Sequence, residues 1–145
     1  MSETLSVHFK PRSWLIRATV LAVSLGLIHM LAHQSGLVRA IDQRLNLLKL
    51  YLPYRESDHV LNIAYNALCE GRTLEDIELR RNDETFLDAL GAERIPDPTT
   101  AGDFCRRFTA ADIGRLQDAI DEARLNETAT EITGCRSEER FTRNA

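Results

Sequence analysis

The chain has little of what disulfide-stapled or sheet-built proteins depend on. Its 145 residues include three cysteines, four prolines, seven glycines and nine aromatics (five Phe, three Tyr, one Trp). Cys69, Cys105 and Cys135 are odd in number and lie thirty or more positions apart. Neither a zinc knuckle of the CxxC kind nor a disulfide framework follows from that spacing. They read as reduced thiols of a cytoplasmic protein, with Cys69 and Cys105 as small core residues. No apolar–polar alternation of period two lasts beyond a few residues, so a sheet is not expected, and no internal repeat is found. A strong positive charge is also missing. The formal net charge is −4, unlike that of a basic module that binds nucleic acid by neutralising phosphates. The charge is uneven: residues 1–72 carry eight Lys/Arg against five Asp/Glu, and residues 73–145 carry ten Arg against seventeen. Any contact with DNA has to come from a local arginine face.

What is present begins with an apolar N-terminal segment. Lys10, Arg12 and Arg17 precede a run that continues through Ile28 to Met30, Leu31 and Ala32. A basic flank before such a run suits a signal or an anchor, whereas the uncharged span between Arg17 and His29 holds eleven residues, short of the roughly 20 that a helical crossing needs. A buried core helix is the first reading and a membrane segment over residues 13–32 the alternative. His29 and His33 share a helical face by their four-residue spacing, as paired metal ligands do. With no glutamate between them in the HExxH manner, they read as polar residues at the wet end of an apolar helix, and no metal site is expected.

Helical periodicity organises the remainder. Leu37, Ile41, Leu45, Leu48 and Leu52 form one stripe, which predicts a helix from Leu37 to about Leu52, stopped by Pro53. A helix starting near Ser57 or Asp58 places Val60, Leu61, Ala64 and Leu68 inward and ends at Gly71 as a left-handed cap. Thr73 with Asp76, Thr100 with Asp103, and Thr109 with Asp112 are Thr-x-x-Asp helix starts. The first opens a short helix carrying Ile77 and Leu79. Between the first and second, residues 83–90 present Phe86, Leu87 and Leu90 and stop at Gly91. The later starts place Ala101, Phe104, Cys105 and Phe108, then Ile113, Leu116, Ile120 and Ala123, on inner faces. The fold class that follows is all-α, an irregular bundle of about six or seven short helices. Residues 126–145 are polar and lack an apolar stripe, so a disordered or frayed C-terminal tail is expected.

Four stretches occur in order: Leu61-Asn-Ile-Ala-Tyr-Asn-Ala-Leu-Cys69, Thr73-Leu-Glu-Asp-Ile-Glu-Leu-Arg-Arg-Asn-Asp83, Phe86-Leu-Asp-Ala-Leu-Gly91 and Ile95-Pro-Asp-Pro-Thr-Thr-Ala-Gly-Asp-Phe-Cys-Arg-Arg-Phe108. With Ser35-Gly-Leu-Val-Arg-Ala-Ile-Asp-Gln-Arg-Leu45 upstream, they resemble the pre-catalytic region of bacterial insertion-sequence transposases with an RNase H-like DDE core. The resemblance covers residues 28–125. Residues 1–27 match poorly, and residues 126–145 depart from the pattern in the manner of a frameshifted or recombined tail. The resemblance implies a helical region that helps bind the element's terminal inverted repeats or assemble the complex, with self-association among its roles. In the full-length family, three carboxylates of a following core hold two Mg²⁺ ions for phosphoryl attack. No strand bearing such an aspartate follows Leu125 here, so no catalytic residue is carried over and no cofactor is expected. The expectation is a truncated, DNA-binding transposase fragment without catalysis. A small membrane-anchored helical protein and a decayed, non-functional reading frame are the alternatives.

Arg80, Arg81, Arg106 and Arg107 are the candidate DNA contacts, because a guanidinium can donate two hydrogen bonds to a phosphate or a guanine edge. Each pair also lies among acids, which makes surface ion pairs the competing account. Asp97, Asp103 and Asp112 read as turn and capping residues. Residues 98–107 leave room for a helix-turn-helix unit, a pattern that any small helical bundle also produces.

Overall fold

The computed structural model describes the backbone of residues 11–48 and 53–142, and the side chains of residues 16, 19–48 and 53–129. The architecture is all-α: seven α-helices and one 3₁₀ turn, with no strand among the described residues. Helix α1 (Pro11–Gln34) meets α2 (Leu37–Arg44) at Gly36, whose left-handed backbone (φ 81°) makes the corner. α2 is half as long as the leucine stripe predicts. Its chain turns extended at Leu45 (φ −94°, ψ 142°) because Glu56, only 1% exposed, captures the next amides. The Glu56 Oε1 accepts from the N–H groups of Leu47 at 3.1 Å and Leu48 at 3.2 Å. Those donors are satisfied outside a helix, and Pro53 is not what ends it. Leu52, the last of the expected stripe, lies outside the described residues.

Helix α3 (Glu56–Leu68) begins where the Arg55 amide donates to Asp58 and the Ser57 amide donates to Asp42. Its buried face differs from the expected one. Leu61 is buried, but so are His59, Asn62, Tyr65, Asn66 and Cys69, while Ala64 and Leu68 face solvent. Hydrogen bonds from the two carboxamide nitrogens offset part of the cost of this polar face, while Asn62 Oδ1, Asn66 Oδ1 and His59 Nδ1 are buried without a partner. Asn62 Nδ2 donates to the Pro96 carbonyl at 3.1 Å and Asn66 Nδ2 to the Thr73 carbonyl at 2.9 Å. The left-handed position after α3 is Glu70 (φ 65°), not Gly71. Gly71 follows as the second residue of a Schellman closure, its amide donating to the Asn66 carbonyl at 2.8 Å.

A 3₁₀ turn (Leu74–Asp76) leads into α4 (Ile77–Arg81), and the Thr73–Asp76 start is present as the sequence implies. Ile77 is fully buried, whereas Leu79, expected inward, is 65% exposed. Asp83 caps α5 (Glu84–Leu90), which closes at the left-handed Gly91. α6 (Pro98–Cys105) is capped by Asp97 rather than by Thr100 and Asp103. Proline at the first helical position fixes the entry angle and gives up an amide that no helix would have used. Cys105 is exposed, contrary to the core role expected for it; Cys69 is buried. The Cys135 side chain lies outside the described ones.

The last helix, α7 (Ala110–Thr142), starts at the Thr109–Asp112 box. It turns Asp112, Ala119 and Ala123 inward and leaves Ile113 and Ile120 largely exposed. The polar stretch after residue 125 continues it as backbone helix to Thr142. α1 likewise runs unbroken through residue 27, so the changes of sequence character at 27/28 and 125/126 are not breaks in the backbone.

Two cores result. Leu25 and Ala32 of α1 pack with Leu61, Tyr65, Cys69, Ile77, Phe86, Ile95 and Ala101. Ala40, Ile41 and Leu45 pack with Ala119 of α7. α1 is not the buried core helix its composition predicts: Ile16, Val20, Val23, Leu27, Met30 and Leu31 are each at least half exposed. No single helix among the described residues is long and apolar enough to cross a membrane. Thr19–Gln34 passes that test only together with Leu37–Arg44, across a 60° bend.

Candidate nucleic-acid interface

The four arginines do not act alike. Arg80 sits at the end of α4 and turns inward, its Nη2 donating to the Cys69 carbonyl at the end of α3. A cation there complements the negative end of the helix. Its Nε is buried without a partner. Arg81 is more open, pairing with Glu78 one turn earlier at 2.8 Å. Arg106 is paired the same way with Asp103, and its side chain is 75% exposed. Arg107 is exposed, with Nη1 donating to the Leu47 carbonyl at 3.2 Å. Exposed i,i+3 pairs are weak, typically about 0–1 kcal/mol, so a phosphate can displace either carboxylate. Arg80 is committed to the fold, whereas Arg81 and Arg106 are held only by exposed carboxylates and Arg107 by the Leu47 carbonyl.

The electrostatic surroundings add one residue that pattern reading passes over. Burial pushes the Tyr54 hydroxyl above its ordinary pKa, and Arg94 and Arg81 pull it back down. Arg94 therefore shares a neighbourhood with Arg81. It stands alone in sequence, so no paired-arginine signal marks it.

The aspartates are structural. The Thr100 hydroxyl and amide hold Asp97 below the usual carboxylate range, and the Thr109 hydroxyl and amide do the same for Asp112. Asp76 is likewise lowered, by the Thr73 and Arg72 amides. Asp103 caps nothing and pairs with Arg106.

Beside these groups, a cleft of about 450 Å³ opens between α1, α3 and the connector before α6. His29, His33, Tyr54, Asp58, Tyr65 and Arg94 are among its lining residues. His29 Nδ1 and the Tyr65 hydroxyl share a hydrogen bond at 3.0 Å. Burial raises the Tyr65 pKa to about 12, so the phenol keeps its proton. Burial, and then His33, lower that of His29, and the two imidazoles touch edge to face at 4.6 Å. Among the described residues no group of three His, Cys, Asp or Glu side chains is placed to hold a metal ion. The signal for this cleft was in the sequence as polar residues among the apolar ones of α3, of which Asp58 and Asn62 line it together with Leu61 and Tyr65.

The chain matches no family model, no curated protein and no solved structure.

Proposed function

We propose that the chain is the helical, pre-catalytic part of an insertion-sequence DDE transposase. In this reading it contributes to binding the element's terminal repeats or to assembling the complex, and does no strand transfer alone. The observation that supports it best is where the resembling stretches fall. Residues 61–69, 73–83, 86–91 and 95–108 supply Leu61, Tyr65, Cys69, Ile77, Phe86, Ile95 and Ala101, most of one core. A set of words that packs against itself is what a functional module inherited as a unit requires. Arg81, Arg106 and Arg107 are its phosphate contacts, with Arg80 holding α4 on the end of α3.

Gel-shift titration of the purified chain tests this, comparing duplexes carrying the flanking inverted repeats with random duplexes at rising salt. Three phosphate contacts give a slope of about −2.7 in log affinity against log salt. Arg106→Ala and Arg107→Ala each reduce it by about one. Equal affinity for both duplexes, or no binding at low salt, removes the DNA role. Magnesium-dependent nicking by the chain alone removes the claim that it is non-catalytic.

A further inference from the structure

His29 and His33 stand one turn apart on α1, and the structure supplies what their spacing alone does not. Their rings approach edge to face with centroids 4.6 Å apart. Two imidazoles that share a metal ion at about 2.0 Å and near a right angle hold their centroids about 4.5 Å apart. The Nδ1 of His29 is already taken, by the Tyr65 hydroxyl at 3.0 Å. A proton on Nδ1 donated to that oxygen leaves the lone pair of Nε2 available, and metal-bound histidines are commonly oriented through the far ring nitrogen in this way. Tyr65 is buried in the core, so its hydroxyl is a fixed anchor. Burial, and then His33, hold the His29 pKa below its ordinary value against the pull of Asp58, which keeps that ring uncharged at neutral pH. Both rings line the cleft of about 450 Å³, which gives an ion and its water ligands access and room. The charged side chains around that cleft are Asp58 and Glu93 against Arg94, an excess of acid.

We propose that His29 and His33 form a two-imidazole site for a divalent transition ion, Zn²⁺, Ni²⁺ or Cu²⁺, with solvent completing the coordination and Tyr65 positioning His29. Imidazole suits these ions, whereas Mg²⁺ and Ca²⁺ ask for oxygen ligands. Among the described residues no third His, Cys, Asp or Glu joins the pair. The site is therefore open and exchangeable, unlike a closed structural zinc centre with four protein ligands. Cu²⁺ binds most tightly of the three. An ion held here bridges one turn of α1 and fixes the ring that bonds Tyr65 of α3, so it favours the folded chain over the unfolded one. The site uses none of Arg81, Arg106 and Arg107 and is independent of the DNA-binding reading.

Calorimetric titration of the full chain with Ni²⁺ and with Cu²⁺ tests it, using protein without a histidine tag and with Cys105→Ser and Cys135→Ser to remove competing thiols. One bound ion is expected that His33→Gln loses and His8→Gln retains. His33 is exposed, so His33→Gln is expected to fold as the wild type does. The electron paramagnetic resonance spectrum of bound Cu²⁺ is expected to show two nitrogen ligands. Tyr65→Phe is expected to keep that spectrum and to bind about tenfold more weakly. Saturating Ni²⁺ is expected to raise the melting temperature of the wild type and to leave that of His33→Gln where it was. Absence of binding, an ion retained at full affinity in His33→Gln, or one lost in His8→Gln overturns the proposal. Tyr65→Phe binding as tightly as the wild type overturns the part given to Tyr65.

Discussion

The imidazole of His59 lies flat against the ring of Phe104, centroids 4.6 Å apart and planes 16° from parallel, with Phe108 edge-on to Phe104 at 5.2 Å. This stack joins α3 to α6 and is closed to solvent, His59 being 2% exposed. Removing the Phe104 side chain therefore leaves a void between two helices. Phe104→Ala is expected to lower stability by about 3–5 kcal/mol in denaturant titration.

The same stack gives the protein an acid sensitivity. Burial lowers the His59 pKa, against the opposing pull of Asp58 and Glu56, and burial lowers His29 as well. A histidine unfolds to a pKa of about 6.5. Below that value the unfolded chain takes up protons that the folded chain refuses, so stability falls as pH falls. The melting temperature is expected to decline from pH 7 to pH 5, less steeply in His59→Phe, which keeps the stack without the titrating group. Equal slopes in the two proteins would show that His59 does not carry the effect.

Glycine stands one position from where backbone geometry asks for it. Glu70 holds the left-handed conformation, while a side chain at Gly71 would overlap the carboxamide of buried Asn66. Asn66 cannot retreat without giving up its bond to Thr73. Gly71→Ala is expected to cost about 1–3 kcal/mol. Glu70→Gly is expected to stabilise by about 1 kcal/mol, relieving a left-handed non-glycine residue. Thermal melts of the two variants should shift in opposite directions.

Asp97, which caps α6, and Asp103, within it, should separate in the same way. Asp97 accepts from the Thr100 amide at 2.9 Å and its hydroxyl at 2.7 Å, so Asp97→Ala is expected to cost about 1 kcal/mol. Asp103 makes only an exposed pair with Arg106, and Asp103→Ala should stay within about 0.5 kcal/mol of wild type. Reversed values would move the helix start to Thr100.

Arg80 and Arg106 make the matching contrast between folding and binding. Arg80→Ala frees the Cys69 carbonyl and is expected to lower the melting temperature, whereas Arg106→Ala is expected to leave it unchanged and, under the proposed function, to weaken binding to DNA. An unchanged melt for Arg80→Ala would mean its inward bond contributes nothing.

Helix class, the Thr73 and Thr109 starts, the Asp83 start and the Gly91 stop were legible because each is local, set within three or four residues. What local pattern missed was decided from a distance. The end of α2 depends on Glu56, nine positions from Leu47, and the α3 face on Asn62 meeting Pro96, 34 positions on. The burial of α1 was overestimated because composition records that a helix is apolar, not how much surface the body has to cover it. For the arginines, the sequence marked Arg80 and Arg81 as equals. The structure separates them, Arg80 by its bond to the Cys69 carbonyl and Arg81 by its exposed pair with Glu78.

The packing of α1 on α5 also fixes an order of events during synthesis. α1 ends at Gln34 and its partner begins at Glu84. At roughly 5–20 residues per second, the ribosome takes about 3–10 seconds to travel that interval. Throughout it the nascent chain displays an oily helix with only α2 and α3 to dock against, so a factor that waits at the tunnel mouth meets α1 before its α5 partner can.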